Sequence, residues 1–174
     1  MKNIFLFITI GISASLVDAS DIYRASPERY TGKSDIVEIS IGTKYMAVTS
    51  DPQATEAAYN VLSNGGTAAD AAIAAQFVLG LTEPQSSGLG GGAFVIYYDA
   101  KQNLLTTFDG RETAPLASTP NYFLNNHKNP MGFYEAVLDG RSIGVPGTPA
   151  VLGKLHKRFG KTDIKKLIKP AVTL

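Results

Sequence analysis

The sequence has 174 residues, of which 44% are hydrophobic and 18% are charged, and this balance is typical of a globular domain rather than a disordered chain. The net charge of +1 gives no electrostatic reason to expect a nucleic acid or an anionic membrane as a partner. Because cysteine is absent, the sequence excludes disulfides, a lipoprotein anchor, thiolate metal sites and a cysteine nucleophile.

Residues 1–19 have the layout of a Sec-type signal peptide. Lys2 precedes an apolar run over 4–12, and small residues end at Ala19. That run is too short to span a bilayer, and no later segment approaches the roughly twenty residues that a membrane span needs. We therefore expect export to the periplasm or the medium after cleavage at Ala19, with an uncleaved N-terminal anchor as the alternative. Residues 20–43 are expected to be an exposed lead-in, and 44–174 the folded domain.

A strand and a helix are predicted at the start of this domain. The apolar and β-branched residues over 44–49 predict a short, largely buried strand. Asp51 can cap a following helix, with Pro52 at the first helical position, and Gly65 and Gly66 end that helix after Leu62.

A second, alanine-rich helix follows directly. Thr67 and Asp70 have the spacing of a capping box, and the apolar run continues to about Leu81. Pro84 disfavours helical geometry in the residue before it, so the helix should end there. The many alanines indicate close packing against neighbouring elements.

The middle of the sequence predicts a β-hairpin in a core sheet. Ala93–Tyr98 and Leu104–Phe108 are two apolar, β-branched and aromatic runs, and the polar segment 99–103 joins them. A weaker helix is predicted over 121–125.

Two further helices are predicted near the end of the sequence. Thr148 can cap the first, which has Pro149 at its first position and ends at Gly160. The second begins near Thr162 and should be interrupted around Pro170. The final residues, 171–174, are largely apolar and carry no cap, so we expect the chain to be truncated at this end.

The C-terminal region is basic. Asp163 is the one acid between 154 and 169, and seven basic residues surround it: Lys154, Lys157, Arg158, Lys161, Lys165, Lys166 and Lys169. We interpret these side chains as the solvated faces of two amphipathic helices, with a nucleic-acid footprint as the less favoured alternative.

The glycine run over 88–92 resembles a nucleotide-binding motif only superficially. Gly88, Gly90 and Ala93 match the dinucleotide fingerprint, and acidic residues follow at Asp109 and Glu112. A dinucleotide site needs the order strand, glycine turn, helix, whereas here the glycines follow a helix and precede a strand. We therefore favour close backbone packing as the role of these glycines.

Few other residues offer chemistry. Ser86 and Ser87 could be nucleophiles, but nothing in the sequence places a base beside them. His127 and His156 are the only histidines, and neither has metal-ligand spacing, so we expect both at the surface and no metal site.

Arg111 is the strongest candidate for a binding residue. It lies in a short polar loop directly after the second predicted hairpin strand. A guanidinium offers donors in a fixed fork that meets a carboxylate with two parallel hydrogen bonds. The alternatives are an ion pair with Asp109 or Glu112, or capping of nearby carbonyl groups.

Several motifs, in the same order, resemble the N-terminal part of the large subunit of the γ-glutamyltransferase (glutathione hydrolase) family. The resemblance covers 46–174 and rests on Met46-Ala47-Val48-Thr49-Ser50, on Asn64-Gly65-Gly66-Thr67-Ala68-Ala69-Asp70-Ala71-Ala72, on the glycine run, on Arg111-Glu112-Thr113-Ala114-Pro115 and on Gly144-Val145-Pro146-Gly147. In that family the arginine of the R-E-x-A-P motif grips the α-carboxylate of the γ-glutamyl donor, so the resemblance implies this substrate-binding role for Arg111.

The resemblance also implies a fold and a reaction. The fold would be the four-layer αββα arrangement of N-terminal-nucleophile hydrolases, an α+β fold of which this chain forms a part. In the family, a precursor cuts itself, and the new N-terminal threonine of a small subunit attacks γ-glutamyl compounds such as glutathione. The acyl group then passes to water, an amino acid or a peptide, and no cofactor is needed.

No position of this sequence matches the family's nucleophilic threonine or its self-cleavage motif. Thr106 and Thr107 lie inside a predicted strand and do not qualify. We therefore expect no catalytic residue in this chain, which would be inactive without the small subunit. The alternatives are a non-catalytic remnant that binds amino acids or small peptides, and a structural or interaction protein that uses its basic helices.

Overall fold

The computed structural model describes residues 39–174. The signal peptide expected over 1–19 lies outside the described residues, as does the part of the lead-in before residue 39. Residues 39–43 are exposed and belong to no helix or strand. Within 39–174, no helix is both long and apolar enough to cross a membrane.

The described residues form a mixed α+β structure, as the sequence predicted. The elements in chain order are α1 (Pro52–Ser63), α2 (Ala68–Thr82), β1 (Ala93–Asp99), β2 (Leu104–Gly110), α3 (Phe133–Leu138), a 3₁₀ helix (Gly140–Ser142), α4 (Thr148–Phe159) and α5 (Ile164–Thr173). β1 and β2 form a two-stranded antiparallel sheet.

The first two helices begin as their sequence signals predict. The Asp51 carboxylate accepts hydrogen bonds from the N–H groups of Gln53 and Ala54, at 2.9 and 3.1 Å. At the start of α2, the N–H of Asp70 donates to Thr67 Oγ1 at 3.1 Å, and the N–H of Thr67 donates to Asp70 Oδ2 at 3.0 Å. Both caps satisfy N–H groups that have no partner inside the helix.

The core has α2 at its centre. On one side α2 packs against α1 through alanine side chains, and on the other it packs against α4 and α5, with the hairpin packed on the same apolar cluster. Ile73, Leu155 and Leu167 are the largest fully buried apolar side chains of the cluster on this second side, and each is at most 1% exposed. The alanine-rich sequence of α2 thus allows close packing on both sides, as predicted.

The hairpin packs one face on this core. Tyr97 of β1 stacks on Phe159 of α4, with ring centroids 4.0 Å apart. The opposite face is open among the described residues, since Phe94 is 65% and Ile96 74% exposed. The alternation follows from the two-residue period of a strand.

The strand predicted over 44–49 is wrong. These residues belong to no helix or strand, and no strand within 39–174 pairs with them. Tyr45, Ala47 and Thr49 are half-buried, while the residues between them are exposed. The N–H of Thr49 donates to Thr55 Oγ1 at 3.2 Å, so the segment is fastened to the start of α1 rather than to a sheet.

The helix predicted over 121–125 is also wrong, and α3 was missed. The segment forms turns, with the N–H of Leu124 donating to the carbonyl oxygen of Asn121 at 3.0 Å. Just after it, Asn125 Oδ1 accepts hydrogen bonds from the N–H groups of His127 and Asn129 at 2.9 and 3.1 Å. An asparagine side chain that bonds nearby N–H groups offers the backbone an alternative to a helix.

Both C-terminal helices differ from prediction at one end. α4 begins one residue earlier than expected, with Gly147 rather than Thr148 as its N-cap, and Thr148 Oγ1 is buried without a hydrogen-bond partner. α5 begins after Asp163 and continues through Pro170 without interruption. Proline removes one backbone hydrogen bond, and the packing of the fully buried Leu167 holds the helix together.

Candidate functional site

The backbone of Arg111 is held firmly where β2 ends. The preceding residue, Gly110, is buried, and a Cβ placed on it would lie 2.7 Å from Val151 Cβ and 2.9 Å from the carbonyl oxygen of Ala93. The N–H of Arg111 itself donates to Asp109 Oδ1 at 2.8 Å. The strand and this turn fix the direction in which the chain leaves the sheet.

The side chain of Arg111 is free by contrast. The residue is exposed, and its guanidinium makes no ion pair or hydrogen bond with any other described residue. The ion pairs with Asp109 or Glu112 that the sequence left open are therefore not formed. Arg111 lines neither of the two cavities described below.

The glycine run packs against the residue that follows Arg111. A Cβ on Gly92 would lie 2.7 Å from the carbonyl oxygen of Gly110 and 2.8 Å from Glu112 Cδ. The carbonyl oxygen of Gly91 accepts hydrogen bonds from the N–H groups of Gly147 and Thr148, both at 3.0 Å. The predicted packing role is confirmed for these two glycines.

Gly88 and Gly90 do not share that role. A Cβ on either would meet nothing within 4 Å. Both glycines instead line open space beside Glu112, so the packing prediction is wrong for them.

Two cavities flank Glu112. One, of about 500 Å³, is lined by the glycine run together with Gln76 and Ser87. The other, of about 540 Å³, is lined by residues 112–115 and by Tyr122 and Arg141. The loop after β2 thus forms a wall between two spaces large enough for a small molecule.

The two serines at the first cavity have different hydrogen-bond partners. Ser87 Oγ accepts a hydrogen bond from Gln76 Nε2 at 2.7 Å, and Ser86 Oγ donates to Glu83 Oε2 at 3.4 Å. An amide cannot take a proton from a hydroxyl, so Ser87 has no base beside it, as expected. The expectation is wrong for Ser86, whose hydroxyl lies beside the Glu83 carboxylate.

The two histidines differ in their surroundings. His127 is exposed, as predicted. His156 is half-buried, with Nε2 2.7 Å from the carbonyl oxygen of Thr162. The predicted surface position is therefore wrong for His156. Within 39–174, no group of histidine, aspartate and glutamate side chains could hold a metal ion.

A salt bridge that the sequence did not predict lies at the second cavity. Arg141 Nε donates to Asp139 Oδ1 at 2.9 Å, and a terminal nitrogen donates to Asp139 Oδ2 at 2.9 Å. The hydrogen bonds from the Arg141 side chain lower the pKa of Asp139 to about 2. The signal was the Asp-Gly-Arg-Ser sequence just before Gly144, since aspartate readily starts such turns.

All seven basic residues between 154 and 169 are exposed. Six of them lie on α4 and α5, so their interpretation as solvated helix faces is confirmed. Lys161 lies between the helices, and its Nζ donates to the carbonyl oxygen of Gly65 at 2.9 Å.

Comparison with known proteins gives a consistent family. The Gamma-glutamyltranspeptidase family model matches residues 54–174. The glutathione hydrolase proenzyme of Bacillus subtilis (strain 168) is 38% identical over 168 residues, which are 96% of this chain and 29% of that protein. The protein of the same name from Escherichia coli (strain K12) is 31% identical over 163 residues, 94% of this chain and 28% of its own length.

The solved structures agree. The crystal structure of Helicobacter pylori gamma-glutamyltranspeptidase matches with a TM-score of 0.72 and 36% identity, over 79% of this chain and 39% of that one. The chain thus spans less than a third of the length of the curated relatives it matches.

Proposed function

Because this chain belongs to the gamma-glutamyltranspeptidase family and corresponds to its N-terminal part, we propose that the protein containing it cleaves the γ-glutamyl amide of glutathione and related compounds. The glutamyl group passes to water, to an amino acid or to a peptide. The predicted fold class is confirmed, since the solved relatives are gamma-glutamyltranspeptidases and the chain has an α+β structure.

In this proposal the chain binds the donor and another part of the same precursor supplies the nucleophile. Thr106 and Thr107 lie inside β2. The proposed nucleophile is the N-terminal threonine of a small subunit, whose own amine can serve as the base. The name "proenzyme" carried by the bacterial relatives supports a processed precursor.

The observation that supports a donor-binding role is the state of Arg111. Its backbone is fixed by β2 and by Asp109, while its guanidinium is exposed and unpaired within 39–174. A positioned arginine with free donors can bind an α-carboxylate through two parallel hydrogen bonds. It would hold the amino-acid end of the donor and leave the γ-amide to the nucleophile.

Arg111→Lys in the full-length protein tests this role. A lysine keeps the charge but loses the two-point fork, and loss of one hydrogen bond to a charged group typically costs about 1.5–3 kcal/mol, or roughly tenfold to a hundredfold in affinity. We expect the Michaelis constant for a γ-glutamyl anilide to rise by that factor. Arg158→Lys, on the exposed face of α4, is the matched control and should leave the Michaelis constant unchanged. If Arg111→Lys also leaves the Michaelis constant unchanged, Arg111 does not bind the donor.

The remaining parts of the proposal concern the whole protein. We place residues 1–19 as an export signal, 20–43 as a lead-in and 44–174 as part of the enzyme domain, which puts the protein in the periplasm or outside the cell. The intact mass of the native protein tests this. A large subunit that contains this sequence, with a smaller one that begins with threonine, supports the enzyme. A mass that ends at Leu174, with no companion, supports a non-catalytic protein.

A further inference from the structure

We propose that Arg141 is a positioning residue for Arg111, and that it acts by fixing the segment against which the Arg111 loop packs. This inference rests on the proposed function, because it takes the α-carboxylate of a γ-glutamyl donor as the ligand of Arg111. Arg141 itself is not a ligand in this proposal.

The Arg111 loop has no apolar core beneath it. From residue 111 to residue 147, all within the described part of the chain, every side chain is exposed or half-buried. Since apolar burial contributes little in this segment, polar contacts are important for holding it in place. The question is which contacts hold the segment in place.

The loop packs directly on the segment that follows Arg141. The N–H of Val145 donates to the carbonyl oxygen of Thr113 at 2.9 Å. A Cβ on Gly144 would lie 2.8 Å from Glu112 Cβ, so the two backbones approach each other closely. A displacement of Gly144 would therefore move Glu112, which adjoins Arg111.

This supporting segment is held at both ends. At one end, the N–H groups of Gly147 and Thr148 donate to the carbonyl oxygen of Gly91. At the other end, the Arg141 guanidinium binds Asp139 with two nitrogens and donates to the carbonyl oxygens of Tyr122 and Leu124, at 3.0 and 3.4 Å. Arg141 thus joins two stretches of chain that no buried side chain connects.

Most of the Arg141 donors are already used within the protein, which argues against a direct ligand role. Four of its five N–H groups are engaged in these hydrogen bonds. Arg111 uses none of its side-chain donors on the described residues. The two arginines therefore have different roles: Arg111 is available to a ligand, and Arg141 is part of the structure that supports the loop.

The test compares two donors that differ only in the α-carboxylate, γ-glutamyl anilide and 4-aminobutyryl anilide, with full-length protein. The readout is the ratio of their kcat/KM values. The variants are Arg111→Lys, Arg141→Ala, Arg141→Lys, the double variant Arg111→Lys/Arg141→Ala and the control Lys165→Ala, an exposed cation on α5. Circular dichroism verifies that each variant is folded.

We expect Arg141→Ala to lower this ratio by about tenfold, since a misplacement of a binding group by about 1 Å can cost up to a hundredfold. Arg141→Lys, which keeps the charge without the fork, should lie between wild type and alanine. The double variant should have a ratio no lower than that of Arg111→Lys alone, because both changes weaken the same interaction, between Arg111 and the α-carboxylate. Lys165→Ala should leave the ratio unchanged.

The outcomes separate the inference from the proposed function. If Arg111→Lys lowers the ratio and Arg141→Ala does not, Arg141 has no positioning role and the proposed function stands. If Arg111→Lys leaves the ratio unchanged, the donor-binding role of Arg111 fails and the inference fails with it. Should the protein turn over neither donor, calorimetric affinities for L-glutamate and 4-aminobutyrate give the same ratio and the same decisions.

Discussion

The buried carboxylate of Asp70 accepts a hydrogen bond from the main-chain N–H of Lys161 at 3.1 Å, although the two residues are 91 positions apart in the sequence. The N–H of Thr162 donates to the same carboxylate at 3.2 Å, and Thr67 completes the set at the start of α2. Asp70 is fully buried. One charge therefore caps α2 and also holds the turn between α4 and α5 against it.

Asp70→Asn should destabilise the fold by about 1–3 kcal/mol, because the amide keeps one acceptor oxygen and brings donors toward N–H groups that need an acceptor. The measurement is the free energy of unfolding in urea. Asp51→Asn is the matched control, since asparagine caps a helix about as well as aspartate and the Asp51 side chain bonds only to N–H groups of α1. Equal stability of the two variants would mean that Asp70 contributes no more than an ordinary cap.

The same carboxylate predicts a loss of stability in acid. Burial alone would raise the pKa of Asp70, but the hydrogen bonds from Thr67, Lys161 and Thr162 outweigh it and lower the pKa below its usual value. A lowered folded-state pKa adds stability that is fully present above the unfolded value of about 3.9 and is lost as the pH falls through the lower folded value.

Unfolding followed between pH 2 and pH 6 checks this sign. Wild type should lose more stability than Asp70→Asn as the pH falls below about 4, so the two curves should converge in acid. Parallel curves over the whole range would show that Asp70 is not linked to the acid transition.

The local part of this arrangement could be predicted from the sequence, and the long-range part could not. Thr67 and Asp70 have capping-box spacing, which depends on residues three apart, and the structure confirms it. The contacts of Asp70 with Lys161 and Thr162 depend on how α4 and α5 return to α2. No local pattern carries that information.

The wrong prediction of a strand and the missing prediction of the Arg141 contacts have the same physical origin. Residues 44–49 have the composition of a strand, but a strand needs a neighbour, and none lies beside them in the described part of the chain. The binding role of Arg111 is a proposal that rests on its motif. The Asp-Gly-Arg-Ser sequence could have indicated the contact of Arg141 with Asp139, but its contacts with the carbonyl oxygens of Tyr122 and Leu124 have no sequence signature.

Two glycines of the same region should respond to alanine in opposite ways. A Cβ on Gly147 would lie 2.6 Å from the carbonyl carbon of Gly110, so Gly147→Ala must separate α4 from the end of β2. Strain of this kind typically costs about 1–3 kcal/mol. A Cβ on Gly153, within α4, would meet nothing within 4 Å, and Gly153→Ala should stabilise the helix by about 0.5–1 kcal/mol.

Thermal unfolding of the two variants gives the comparison directly. We expect a lower midpoint for Gly147→Ala and a higher one for Gly153→Ala. A rise in both would mean that α4 can move away from β2 at no cost.

The most direct test of the donor-binding role of this chain is a crystal structure of the full-length protein with L-glutamate bound. We expect both α-carboxylate oxygens to lie within hydrogen-bond distance of the Arg111 guanidinium, with Arg141 still bound to Asp139. Glutamate held by other residues, with Arg111 in solvent, would contradict the claim that this chain supplies the carboxylate-binding side chain of the donor site.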